Sequence, residues 1–238
     1  MRPRYERALR ELVEIPTVSS DPAHRADMAR GAQAAARLVR EAGGRAHVGR
    51  TRGHPVVLAE FEGARGAPVV VLYNHLDVQP AAREAEGWRT DPFRLVRRGG
   101  RYFGRGTTDD KGPALAALFG VAAARARGVR VGVRLLWEME EEIGSPSLEP
   151  VLRAIARDVR PHSVVVSDAA WLDRRRPTSL SGLRGFVGFR FVLDTAEGEA
   201  HSGDVGGAAR NPLAELMQVV TELHDARSGR VKVPGFYD

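Results

Sequence analysis

Short apolar runs rich in β-branched residues, interleaved with helical patterns, constrain this chain more than any other feature. Val56-Val57-Leu58-Ala59 and Pro68-Val69-Val70-Val71-Leu72-Tyr73 are too short and too β-branched for buried helices and read as interior strands. Residues 129–137 alternate as a strand, and 163–167 form another short apolar run. Around them, Leu9, Leu12 and Val13 follow a helical spacing that Pro16 ends. Residues 25–42 form an amphipathic helix closed by Gly43-Gly44, and 112–127 and 147–158 read as further helices. Strands alternating with helices predict an α/β sheet with crossover connections. The character changes near 177–185. Beyond it, 186–193 alternates like a half-exposed antiparallel strand, and 211–227 forms a helix capped by Asn211 with Pro212 in its first turn. These patterns place two domains, 1–181 and 182–238.

With 43% hydrophobic and 28% charged residues, the chain has the profile of a soluble globular protein. It has no cysteine, which excludes disulfides, thiolate metal sites and cysteine nucleophiles, so a transition metal must be held by histidine and carboxylates. The 36 Lys and Arg against 30 Asp and Glu give a net charge of +6, but Lys111 and Lys232 are the only lysines and the arginines are scattered. A nucleic-acid footprint is a clustered basic face interleaved with aromatics, so none is expected here. Met1-Arg2-Pro3-Arg4 is followed by no apolar segment, and nothing approaches the roughly 18 apolar residues of a membrane span. A cytoplasmic location and no membrane association are the expectations.

Ligands of open α/β sheets gather outside the carboxyl ends of the strands, and four polar clusters fall there. Asn74-His75-Leu76-Asp77 follows the second strand. A carboxylate two residues from an imidazole is the usual partner of a metal-bound histidine, although His-x-Asp alone favours a capped turn. Gly104-Arg105-Gly106-Thr107-Thr108-Asp109-Asp110 precedes a helix. Its acids suit the helix dipole, and Asp110 also reads as an N-cap. Two acids where an anion would sit disfavour a phosphate loop. Glu138-Met139-Glu140-Glu141-Glu142 crowds four carboxylates, which points either to a solvated face or to a cation site. Asp168 ends the last run.

Together these segments resemble the zinc-dependent metallopeptidase family of carnosine-type dipeptidases, aminoacylases, amino-acid deacylases and glutamate carboxypeptidases. Residues 73–81, 88–93, 104–113, 138–145, 167–171 and 201–212 carry the resemblance in family order. Leu76-Asp77-Val78-Gln79-Pro80-Ala81, Ser167-Asp168 with Trp171, and Pro234-Gly235-Phe236-Tyr237-Asp238 resemble the dipeptidase branch. The resemblance implies a mixed, mainly parallel sheet flanked by helices, followed by the start of a smaller α+β lid or dimerisation domain. It implies two zinc ions, with manganese or cobalt as alternatives. His75, Asp109 and Asp168 would hold one ion, and Asp109 and Glu142 the other. Glu141 would be the general base toward water, Asp77 would orient His75, and His201 would reach from the lid of a partner subunit to the substrate oxyanion. The implied activity is hydrolysis of amide bonds in dipeptides or N-acyl amino acids by a lid-paired homodimer.

Three departures accompany the resemblance. Asn74 and Met139 stand where the family usually has glycine. Family members are about twice this length, and no later histidine matches their final metal ligand, His224 lying in a predicted helix. The expectation is therefore a truncated chain with impaired activity of its own. The alternative is a non-catalytic remnant acting only through dimerisation or partner binding.

Overall fold

The computed structural model describes residues 1–238 except 159, 170–172, 174, 177, 181, 183 and 200, so Trp171 of the dipeptidase-like motif lies outside the described residues. The chain divides into two compact units, Met1–Leu180 and Ser181–Asp238.

The first unit opens with helices α1 (Arg2–Val13) and α2 (Arg25–Glu41). Strands β1 (Arg45–Gly49), β2 (Val56–Phe61) and β3 (Val69–His75) follow, then a small ribbon of β4 (Val96–Arg98) and β5 (Arg101–Phe103). Helix α3 (Lys111–Ala126), strand β6 (Gly132–Glu138), helix α4 (Leu148–Asp158) and strand β7 (Ser163–Val166) complete it. The main sheet has the order β1-β2-β6-β3-β7. It is mixed, but parallel pairing does not dominate. β3 runs parallel to β6 and β7, whereas β2 is antiparallel to β1 and β6. The reason is connection length: β1 and β2 are joined by residues 50–55 alone, too few for a crossover, while helices α3 and α4 bridge the parallel strands.

The register Tyr73↔Val166 and His75↔Glu138 brings the carboxyl ends of β3, β6 and β7 to one edge of the sheet. The core beneath is formed by Leu9, Leu12 and Val13 of α1, Met28, Ala32 and Val39 of α2, and Leu115 and Leu118 of α3. These pack against Phe61, Leu135 and Trp137 of the sheet. Lys111, fully buried at the start of α3, donates from Nζ to the carbonyls of Leu12 and Ile15, both at 2.8 Å. It thereby adds a second donor to carbonyls at and just beyond the end of α1, and burial pushes its ammonium down to about 7. A Cβ on Gly112 would lie 2.0 Å from the Thr107 carbonyl oxygen, so glycine is required for the 104–110 loop to fold against the first turn of α3.

The second unit contains α5 (Ser202–Val205), α6 (Pro212–Leu223) and a two-stranded ribbon of β8 (His224–Asp225) and β9 (Arg230–Val231). Asn211 caps α6 as expected, its Oδ1 accepting from the backbone of Leu213 and Ala214. Two expectations fail here. The helix predicted to 227 ends at Leu223, because His224 and Asp225 turn extended to pair with Val231 and Arg230. The described residues of 186–193 form no strand; Phe186 is 93% exposed and, among the described residues, no strand pairs with this run. Strands β1, β4 and β5 were not foreseen. Among the described residues, no helix is long and apolar enough to cross a membrane.

The difference in burial gives a direct test. Leu118→Ala, in the core, is expected to lower the unfolding free energy by about 2–5 kcal/mol. Leu213→Ala, on the open face of α6, is expected to change it by about 0.5 kcal/mol or less. Urea denaturation of the two variants checks both.

Candidate metal centre

His75, the last residue of β3, is completely buried. Its Nε2 lies 2.8 Å from Asp109 Oδ1, 3.6 Å from Asp168 Oδ2 and 4.0 Å from Glu141 Oε2. Its Nδ1 is 3.1 Å from the Asp77 carbonyl oxygen and 3.3 Å from Asp77 Oδ1. One imidazole is thus ringed by carboxylates that follow β3, precede α3, follow β6 and follow β7. Each arrives because a strand or helix ends at the same sheet edge. Asp109 is 63% exposed at its side chain, so the cluster is buried behind His75 and open in front.

Asp77 is also fully buried. Its Oδ1 and Oδ2 accept from the backbone N–H groups of Glu141 (3.2 Å) and Glu142 (3.0 Å), fastening the turn that follows β6 to the residues flanking His75. Gln79 donates from Nε2 to Glu142 Oε2 at 2.8 Å. The acidic run is not a solvated face. Glu138 and Glu140 are buried: Glu138 accepts from the hydroxyls of Tyr73 and Ser145, and Glu140 from the backbone N–H groups of His54 and Ser147. Glu141 and Glu142 are left half-buried beside His75.

Asp110 departs from its N-cap reading. Its residue precedes α3, but its side chain makes no capping bond. Instead Oδ2 accepts from the His75 backbone N–H at 3.1 Å and from Asn74 Nδ2 at 2.8 Å. The sequence offered no signal for this beyond adjacency to Asp109. The peptide between the two aspartates is cis. His201 belongs to the second unit, where it stands exposed just before α5.

The charges are unbalanced. Burial works against a charged His75, but Asp77, Asp110 and Asp168 outweigh it and push the imidazole up to about 10. Burial raises Glu141, with Glu142, Asp168 and Asp77 adding to the effect, and burial likewise raises Asp168. Burial lifts Asp110 to about 7 against the hydrogen bonds from Asn74 and His75. Carboxylates held this close favour a bound cation. The ligand atoms of His75, Asp109 and Glu142 lie within 4.8 Å of one another, as do those of His75, Asp110 and Asp168. Imidazole plus carboxylate oxygens is a donor set for zinc and neighbouring divalent metals, and the residues present fit such an ion.

The sequence profile described as Peptidase family M20/M25/M40 matches residues 71–233, which take in every residue of this cluster. The chain belongs to this family. It is 38% identical over 189 residues to the Cys-Gly metallodipeptidase dug1 of Schizosaccharomyces pombe, covering 77% of this chain and 39% of that protein. It is 39% identical over 190 residues to the human Beta-Ala-His dipeptidase, covering 77% and 37%. The crystal structure of the M20 family metallo-carboxypeptidase Sso-CP2 from Sulfolobus solfataricus superposes with a TM-score of 0.81 at 29% identity, covering 98% of this chain and 52% of that one. The matched part of the chain thus covers 37–39% of the length of these two curated relatives, and the whole chain spans about half of it.

Because His75 carries a proton at neutral pH, a divalent metal must displace it. Metal titration at pH 7 is expected to release protons, and affinity to rise as pH is raised from about 6 to about 7.5. Calorimetry in buffers of different ionisation enthalpy measures both.

Proposed function

We propose that this chain carries metal-binding and catalytic residues of a hydrolase that cleaves amide bonds in dipeptides or N-acyl amino acids, with two zinc ions as cofactor. The observation that carries this reading is the convergence of Asp109, from the loop before α3, and Asp168, after β7, on the buried His75 at the end of β3, with Glu142 beside them. His75, Asp109 and Asp168 are assigned to one ion, and Asp109 with Glu142 to the other. When bound, such a pair polarises a carbonyl and lowers the pKa of water.

Glu141 is assigned the proton transfer. Among the described residues its carboxylate accepts no hydrogen bond, it is half-buried, and burial has raised its affinity for a proton, so it can take one from water and return it to a leaving amine. Asp77 is assigned to orient His75 and to fix the Glu141–Glu142 turn. His201 is assigned to the substrate oxyanion, which its Ala200-His201-Ser202-Gly203 context supports. A chain that worked only by pairing with a partner would have no use for a buried imidazole ringed by carboxylates. Short peptides are the preferred substrates because the relatives named above are dipeptidases.

The second unit is proposed to pair two copies, as the lid of a homodimer in the cytoplasm. The apolar side chains of Phe186, Val187, Phe189 and Val192, and of Leu213, Met217 and Val220 on α6, stand exposed and support this.

The assignment is tested in two steps. The chain is expected to bind zinc at micromolar concentration and His75→Ala to lose it; absence of metal from the unaltered chain would sink the reading. In the protein that contains this chain, Glu141→Gln is expected to lower kcat on dipeptides at least about 100-fold with metal content unchanged. Retained turnover would remove Glu141 from its role.

A further inference from the structure

We propose that Asn74 is a positioning residue that locks the two carboxylate-bearing loops of the metal centre to the end of β3; the inference rests on the reading of His75, Asp109 and Asp168 as metal ligands. Its basis is an interruption in the ladder between β3 and β7. The two strands pair in parallel as far as Tyr73↔Val166, and the Ser167 N–H continues the pattern by donating to the Tyr73 carbonyl at 3.1 Å. In a regular parallel ladder the next bond runs from the His75 N–H to the Ser167 carbonyl. Here the His75 N–H donates instead to Asp110 Oδ2 at 3.1 Å, so the Asp110 carboxylate enters the ladder as a wedge.

Asn74 closes the gap that the wedge leaves. Its Nδ2 donates to the Ser167 carbonyl at 3.0 Å and to the same Asp110 Oδ2 at 2.8 Å. The side chain is fully buried, so water cannot substitute for it, and without the amide the Ser167 carbonyl would lose its donor. The orientation of the amide is forced. Turned over, its oxygen would face a carboxylate and a carbonyl, two acceptors. In the orientation found, Asn74 Oδ1 is buried with no hydrogen-bond partner, a cost that the two donated bonds must offset.

The consequence reaches the ligands through the chain. Ser167 immediately precedes Asp168, and Asp110 immediately follows Asp109. One side-chain amide therefore fixes the approach of both carboxylates to His75, the residue that follows Asn74 itself. Asn74 touches no substrate and supplies no ligand; it sets the spacing of groups that do.

The test compares the zinc affinity of the 238-residue chain with that of Asn74→Ala and Asn74→Ser, by competition with a chelating dye, alongside the urea stability of each metal-free form. Removing a group that holds metal ligands costs about 10- to 100-fold in affinity, and that loss is expected for Asn74→Ala. Asn74→Ser, which retains one donor, is expected to lose less. The visible bands of the cobalt-loaded chain are expected to shift in both. A purely structural role predicts lowered stability with zinc affinity within twofold of the unaltered chain and an unchanged cobalt spectrum, and that result overturns the proposal. If Asn74→Ala does not fold, Asn74→Ser decides, since affinity and cobalt spectrum equal to the unaltered chain overturn the proposal equally. Failure of the unaltered chain to bind zinc would instead remove the reading on which the proposal rests.

Discussion

A single buried imidazole surrounded by carboxylates is the constraint on which the rest of the first unit depends. His75 and Asp77 are both withdrawn from solvent, and three further acids face the same ring. Such a group of like charges disperses unless a framework holds it, and burial together with neighbouring acids disfavours the charged forms of Glu141 and Asp168. The framework is the set of parallel strands β3, β6 and β7, whose ends are brought level by backbone pairing. Asp77, Asn74 and the Thr17 hydroxyl, which donates to the Leu76 carbonyl, add bonds beyond the point where that pairing stops.

The helices contribute through α1 and α3. Lys111, the residue after Asp110, reaches to the end of α1, where two carbonyls accept hydrogen bonds from its Nζ. A charged side chain is costly to bury unless hydrogen-bonded, and here its bonds clamp the start of α3, and with it the Asp109-Asp110 turn, to another helix. Packing of Leu9, Leu12 and Leu115 and the placement of Asp109 beside His75 are therefore linked through one side chain.

Much of this was legible in the sequence. The apolar runs marked β2, β3, β6 and β7 with small errors at their ends, and the rule that ligands lie at strand carboxyl ends pointed to the four polar clusters, whose His75, Asp109, Glu142 and Asp168 the structure brings near one another. What was not legible depended on partners distant in sequence. Asp110 looks like a helix cap because capping is local, whereas its actual bonds go to residues 35 and 36 positions earlier. β1 carries Arg45 and His47 among few apolar residues, and its strand character comes from pairing with β2 rather than from its own composition. The alternation of 186–193 is the opposite case: a strand pattern has no force without a strand beside it.

The acidic run after β6 shows how identical residues acquire different chemistry from their surroundings. Glu138 and Glu140, two apart, are buried and each accepts two hydrogen bonds from hydroxyl or backbone donors, so they act as structural acceptors. The chain then tightens into a turn closed by Gly144 at a φ of 85°, a left-handed conformation that glycine adopts without strain. That turn presents Glu141 and Glu142 together to the open side of the cluster. Both backbone N–H groups are consumed by Asp77, which fixes where the two side chains begin. Gln79 then holds the Glu142 carboxylate while that of Glu141 receives no donor among the described residues. A carboxylate held by a neighbour suits a fixed ligand, and one left free suits a group that must gain and lose a proton. The proposed division of roles between two adjacent glutamates thus rests on a single glutamine and a single aspartate, both placed by the residues that follow β3.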